Sequence, residues 1–253
     1  MRLPGIALLA CSVVGCPPPV RVHPRCPELN DQAVGQLQRG DLDQAQLLTE
    51  QCLAYCPGFA NCLNDQGLIA EQRGDVAAAK QRFAEALHSD QENMFAYNNL
   101  GRMYLKEGHP GRARDQFERA LKVYPEFADA LFDLALACRQ LKDDACAEKS
   151  LRKLLIAQPQ HAQALQALGS LYISQKKYQD AAEPLEDASR VDPNLRGIWQ
   201  ALGAVYVELG KIDEAKQCFR LCLDHEADNL GCAESLSLLN RTYPPAQETP
   251  SSE

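Results

Sequence analysis

The eleven cysteines are the side chains in this 253-residue chain best suited to chemistry. Thiols that meet in an oxidising compartment close disulfides, whereas thiolates grouped with a histidine hold zinc. The spacing from Cys52 to Cys62 returns between Cys222 and Cys232, and two further combinations are open: Cys138 with Cys146, which flank a turn between two helices, and Cys26 with Cys56, at the open end of an antiparallel helix pair. Cys56 with Cys62 is a competing choice, because connectivity does not follow from sequence alone. Cys218, Cys222, His225 and Cys232 have ligand-like spacing, but the paired short loops of a zinc site are missing, and no metal is expected. Nothing else has catalytic spacing. The chain carries no phosphate-binding glycine loop, no Gly-x-Ser-x-Gly and no His-Glu-x-x-His, and its five histidines are scattered, so the chain is not expected to be an enzyme.

The cysteines sit in a repeat with a stride of thirty-four residues, unbroken from Cys26 to Asn229. One position of each stride is Gly or Ala (Ala33, Gly67, Gly101, Ala135, Gly169, Gly203), and another is always Ala (Ala45, Ala79, Ala113, Ala147, Ala181, Ala215). Pro57, Pro125, Pro159 and Pro193 close four units, while Gln91 and Ala227 replace the proline in two others. Two helices and a break per unit follow, and the small residues let the paired backbones approach closely. Residues Tyr97, Leu100, Gly101, Tyr104, Gly108, Ala113, Phe117, Ala120 and Pro125 resemble the tetratricopeptide signature nearly whole. The resemblance implies an all-α fold, a right-handed superhelical solenoid of six 34-residue helix-turn-helix repeats plus a C-terminal capping helix. The units are 26–59, 60–93, 94–127, 128–161, 162–195 and 196–229, followed by a cap at 230–241 and a disordered tail at 242–253. Pro184 falls inside a second helix and removes one hydrogen bond there.

Arg2, the apolar run from Leu3 to Val14 and then Val13-Val14-Gly15-Cys16 look like a bacterial lipoprotein signal ending in its lipobox. Residues 1–15 are then a signal peptide and Cys16 carries the lipid, with Cys11 the alternative. Residues 16–25, rich in proline, form a lipidated tether of extended geometry. No Asp follows Cys16, which in that class of lipoprotein implies the periplasmic face of the outer membrane. No cofactor is expected beyond this covalent lipid. With Cys11 and Cys16 set aside nine cysteines remain, so at least one thiol stays unpaired within a single chain.

Repeat register selects partners among the nine. Cys52 and Cys222 share one repeat position and Cys62 and Cys232 another, each pair joining the end of a second helix to the start of the next leading helix. Bridges there would fasten the first repeat to the second and the sixth to the cap, each contributing about 2 to 4 kcal/mol. The net charge of −8 argues against nucleic acid as a partner and against charge-driven binding to anionic lipid.

What remains is binding, on the wall formed by the leading helices. Register places Leu68, Leu105, Leu136 and Ile173 on that wall, interrupted by Arg102 and Arg139, with Asn64, Asn98, Asn99, Phe95 and Phe132 along its edge. An apolar strip bordered by amides suits an extended or helical partner segment. Some tetratricopeptide repeats clamp a carboxylate with Asn and a cation, and Asn98, Asn99 and Arg102 match that pattern. The acidic residues are otherwise expected to be solvated on outer faces. A lipid-anchored start followed by six such repeats resembles the pilotin lipoproteins of type IV pilus systems. The resemblance implies a protein that binds secretin subunits and promotes their assembly into the pilus ring. A general periplasmic scaffold for envelope or outer-membrane-protein assembly is the alternative, and a thiol-active or zinc protein a more distant one.

Overall fold

The computed structural model describes residues 23–244; Cys11, Cys16, the signal peptide and most of the tether and tail lie outside them. Thirteen helices and no strand are found among the described residues. They are α1 (Arg25–Arg39), α2 (Leu42–Tyr55), α3 (Ala60–Gln72), α4 (Val76–Ser89), α5 (Met94–Lys106), α6 (Pro110–Val123) and α7 (Ala128–Gln140). The series continues with α8 (Asp144–Ala157), α9 (Ala162–Ser174), α10 (Tyr178–Val191), α11 (Ile198–Glu208), α12 (Ile212–His225) and the closing α13 (Leu230–Thr242).

Local chemistry sets the boundaries. Asp41, Asp75 and Asp143 cap α2, α4 and α8 by accepting from the backbone N–H three residues on, satisfying a donor the helix itself leaves open. The turn inside each unit needs a left-handed residue at one fixed position. Gly40, Gly74, Gly108 and Gly210 supply it without strain, but Lys142 (φ 59°) and Lys176 (φ 59°) hold the same conformation with a Cβ present. The second helices α4 and α12 end at the same repeat position as the others although Gln91 and Ala227 follow where proline was expected. Pro184 is accommodated inside α10, where it is buried.

The core is a ribbon between two layers of helices, and a glycine–ring fit recurs inside three of the units. A Cβ built on Gly101 would stand 2.5 Å from a ring carbon of Phe117, and one on Gly67 would stand 2.4 Å from Phe83. Gly203 meets Phe219 and Gly169 meets Leu185 in the same way. Gly or Ala on the leading helix was expected to lie against Ala on the second; at these four glycines a buried ring or Leu fills the space instead. Where the leading helix carries Ala33 or Ala135, the same position of the second helix holds Thr49 or Leu151, both smaller than Phe and both buried. A small residue on the leading helix thus meets a larger buried one on the second helix of the same unit, as close packing requires.

Among the described residues α1 touches α3, α3 touches α5, α5 touches α7 and α9 touches α11, while successive second helices approach each other less. Leading helices therefore form the tighter, inner wall. No helix among the described residues is long and apolar enough to cross a membrane.

Four disulfides lie within this frame: Cys26 with Cys56, Cys52 with Cys62, Cys138 with Cys146, and Cys222 with Cys232. Cys52 on α2 reaches Cys62 on α3, and Cys222 on α12 reaches Cys232 on α13, so each bridge ties the end of a repeat to its neighbour. Cys62 is used in this way, which excludes the rival bond to Cys56. The Cys222–Cys232 bond likewise removes two of the four groups that a zinc site there would need. Cys218 stays free; burial pushes its thiol up to about 12, with Glu186 and Glu214 adding to the shift. A thiol held neutral in this way is a poor nucleophile.

Candidate binding groove

The inner wall carries a polar ladder that crosses the seams between repeats. Asn99 on α5 donates from Nδ2 to Oδ1 of Asn64 on α3 at 2.9 Å, and Asn64 donates to Asp65 Oδ1 at 3.3 Å. One repeat further, Asn98 on α5 donates to Asp133 Oδ2 on α7 at 3.5 Å. Each cross-seam contact joins residues thirty-five apart, one more than the stride, because consecutive positions on a helix face opposite neighbours. Asn98 and Asn99 therefore turn away from each other.

That geometry corrects the expected carboxylate clamp. Asn99 is taken up by Asn64, while Asn98 and Arg102 both lie near the chain's own carboxyl, Asp133. Arg102 is exposed and within Coulombic influence of Asp133, yet no ion pair between them forms.

The apolar strip is also only partly a surface. Leu68 packs against the cluster of Phe83 and Met103, Leu105 against that of Phe117 and Leu134, and Phe132 and Ile173 against the largest cluster. Leu136 is half-buried. Phe95 is the open member, 46% exposed, its ring edge-on to Phe127 with centroids 5.5 Å apart. Phe132 stacks on His161 at 5.6 Å. His161 in turn helps to line a concavity of about 690 Å³ with Gln158, Pro159, Gln163 and Leu195. Two separate aromatic pairs, Phe95 with Phe127 and Phe132 with His161, thus stand at the starts of α7 and α9. Towards the far end of the ladder Lys106 pairs with Glu71, linking α5 to α3.

Two residues absent from the expected site dominate its electrostatics. Asp65 is 4% exposed, and burial pushes its carboxyl up to about 7, against a lowering by the hydrogen bond from Asn64. Burial raises Asp133 to about 6, opposed by Arg102 and by the hydrogen bond from Asn98 and assisted by Asp129. The expectation that acidic residues would sit solvated on outer faces fails at these two. Their signal was available: Asp65, Asn99 and Asp133 occupy one repeat position, the one after Asn64, Asn98 and Phe132. Asp65 Oδ2 and Asn98 Oδ1 have no hydrogen-bond partner and are closed off from solvent.

Fold and groove together define a helical-repeat scaffold with a concave inner wall. The tetratricopeptide-repeat family profile matches residues 64–108, 98–155 and 145–194, and a second profile of that repeat matches 197–229, so the chain belongs to the tetratricopeptide-repeat family. This fold is typical of protein-interaction proteins. Among curated proteins, the chain is similar to the type IV pilus assembly protein PilF of Pseudomonas aeruginosa, 30% identical over 95 residues, covering 38% of each protein. It is also similar to the protein O-mannosyl-transferase Tmtc3 of Drosophila melanogaster, 30% identical over 102 residues, which is 40% of this chain and 11% of Tmtc3. Of these curated relatives the matched stretch thus spans well under half the length. Among solved structures, that of Pseudomonas aeruginosa PilF superposes with a TM-score of 0.76 at 18% identity, covering 84% of this chain and 97% of PilF. The structure of PilW, described as a widely conserved type IV pilus biogenesis factor, gives 0.72 at 18% identity over 85% of this chain and 99% of PilW.

Proposed function

We propose that this protein is an outer-membrane lipoprotein, anchored through Cys16, that binds secretin subunits and promotes their assembly for type IV pilus biogenesis. The observation that carries the reading is the similarity to PilF, a type IV pilus assembly protein, in sequence over 95 residues and in fold over nearly all of PilF. The lipobox at Val13 to Cys16 supports the anchor, and the groove supplies what a non-catalytic assembly factor needs. Its half-exposed Phe95 ring can take an apolar side chain of a partner. A secretin segment held there would keep protomers at the membrane until they oligomerise. The anchor raises their effective concentration without any new contact.

The test is a pull-down from detergent-solubilised membranes, run beside a deletion strain examined for secretin multimers. Secretin should be captured by the wild type, and multimers should be lost on deletion. Replacing Cys16 by Ser should release the protein from the membrane fraction and reduce multimer assembly. Absence of secretin from the pull-down together with persistence of multimers in the deletion strain refutes the reading.

A further inference from the structure

Helix α13 keeps the register of a leading helix but leaves one face bare. Its Ser237 stands one full stride after Gly203, at the position that holds Gly or Ala in all six units. Gly203 is met there by Phe219 and Gly169 by Leu185, whereas Ser237 is exposed. Beside it Leu238 is 57% and Leu230 75% exposed. Leu230, Glu234, Ser237, Leu238 and Arg241 are all exposed and, being three, four or seven residues apart, share one face of the helix. That face is held in place at both ends of α13. The Cys222–Cys232 bond fixes its start, and Lys216 Nζ donates to the carbonyl of Tyr243 at its end. A helix fixed in this way can dock with little ordering cost.

The bare face is complementary to itself. An antiparallel copy of α13, centred between Ser237 and Leu238, sets each Leu238 over the other copy's Ser237, a large residue over a small one as Leu185 lies over Gly169. The same register sets each Glu234 opposite the other copy's Arg241. Within one chain these two residues are about 10 Å apart along the helix axis, too far to pair with each other. Neither makes an ion pair among the described residues.

We propose that α13 is a self-association surface, on which a second copy of this chain docks antiparallel about a twofold axis passing between Ser237 and Leu238. A second copy suits the face because one register satisfies the Leu–Ser fit and the charge pair together, and the twofold axis makes each contact twice. Ala204 and Val207, exposed on α11, occupy the repeat positions of Leu238 and Arg241 one unit earlier and extend the apolar surface along the inner wall. A single helix pair buries less than the roughly 1,200 Å² at which standard interfaces begin, so the contact is a transient one.

The experiment is oxidative cross-linking in cells producing the full chain, with covalent-dimer yield as the readout. Ser237→Cys, beside the twofold axis, should give a dimer with the Cys222–Cys232 bond intact, and Lys149→Cys on α8 should not. Adding Leu238→Glu to Ser237→Cys should cut the yield by about tenfold. Adding Glu234→Arg or Arg241→Glu should cut it to a similar degree, because each sets like charges together twice, and the double swap should restore it. No dimer from Ser237→Cys, a yield equal to that of Lys149→Cys, or a double swap no better than the single ones overturns the proposal. An adduct with a different protein overturns it too, as does a dimer that forms only once residues 245–253 are removed. Secretin multimers are scored in the same cells. Normal multimers without the cross-link sink this inference alone, and a cross-link in cells whose secretin assembles without the protein sinks the pilus reading alone.

Discussion

Substituting Gly101 by Ala tests the packing rule that holds the solenoid together. The added Cβ would stand 2.5, 2.8 and 2.9 Å from three carbons of the Phe117 ring, all closer than real Cβ contacts come. Phe117 is fully buried, so the ring cannot swing into solvent; it must shift against the next repeat. Overpacking of this kind costs about 1–3 kcal/mol. Helix propensity acts in the other direction, since Ala is favoured over Gly by about 1 kcal/mol in a helix interior. A net loss of about 1–2 kcal/mol is expected. Phe117→Leu should relieve the clash, because unit four already combines Ala135 with Leu151. The double variant should therefore be more stable than the two single losses added together, by about 1 kcal/mol or more. Urea unfolding of the oxidised protein, followed by far-UV circular dichroism, measures all four corners of the cycle. Should Gly101→Ala raise stability, as propensity alone requires, or should the cycle show no coupling, the glycine is not there to admit the ring.

Four further outcomes are expected. Cys52→Ser opens a loop of about ten residues, which should remove about 2–3 kcal/mol and show as faster amide exchange in α1 and α2 with α7 to α10 unaffected. Asp65→Asn should stabilise the protein at neutral pH by at least about 1 kcal/mol, since a single pKa unit corresponds to about 1.4 kcal/mol. The folded-state value of Asp65 is raised to about 7 from 3.8, so its native carboxyl keeps a proton that the unfolded chain has lost; wild-type stability should fall as pH rises across that window, and the Asn variant should flatten the fall. Lys142→Gly and Lys176→Gly should each raise stability by about 1 kcal/mol by removing a Cβ from a left-handed turn, as thermal melts would show. Phe95→Ala should weaken secretin capture at unchanged helix content, because the ring is half exposed and contacts Phe127 at its edge; equal capture by this variant would take Phe95 out of the binding surface.

The thirty-four-residue stride was enough to place the helices, their breaks and the cap, because each unit repeats one local pattern and packs chiefly on its neighbours. It also made cysteines far apart in sequence comparable, so the joints at α2–α3 and α12–α13 could be singled out from register. Those features depend on spacing alone. The inner wall does not. Whether Leu105 faces a partner or the core, whether Asn99 is free or held by Asn64, and whether Asp65 and Asp133 meet water are decided by how each leading helix is rotated against the next. A repeat pattern read along one chain gives positions on a helix but not the angle across the seam, and a rotation of one residue, about 100°, separates an exposed side chain from a buried one. Periodicity thus determined the solenoid, and inter-repeat packing alone decided which polar groups its groove conceals.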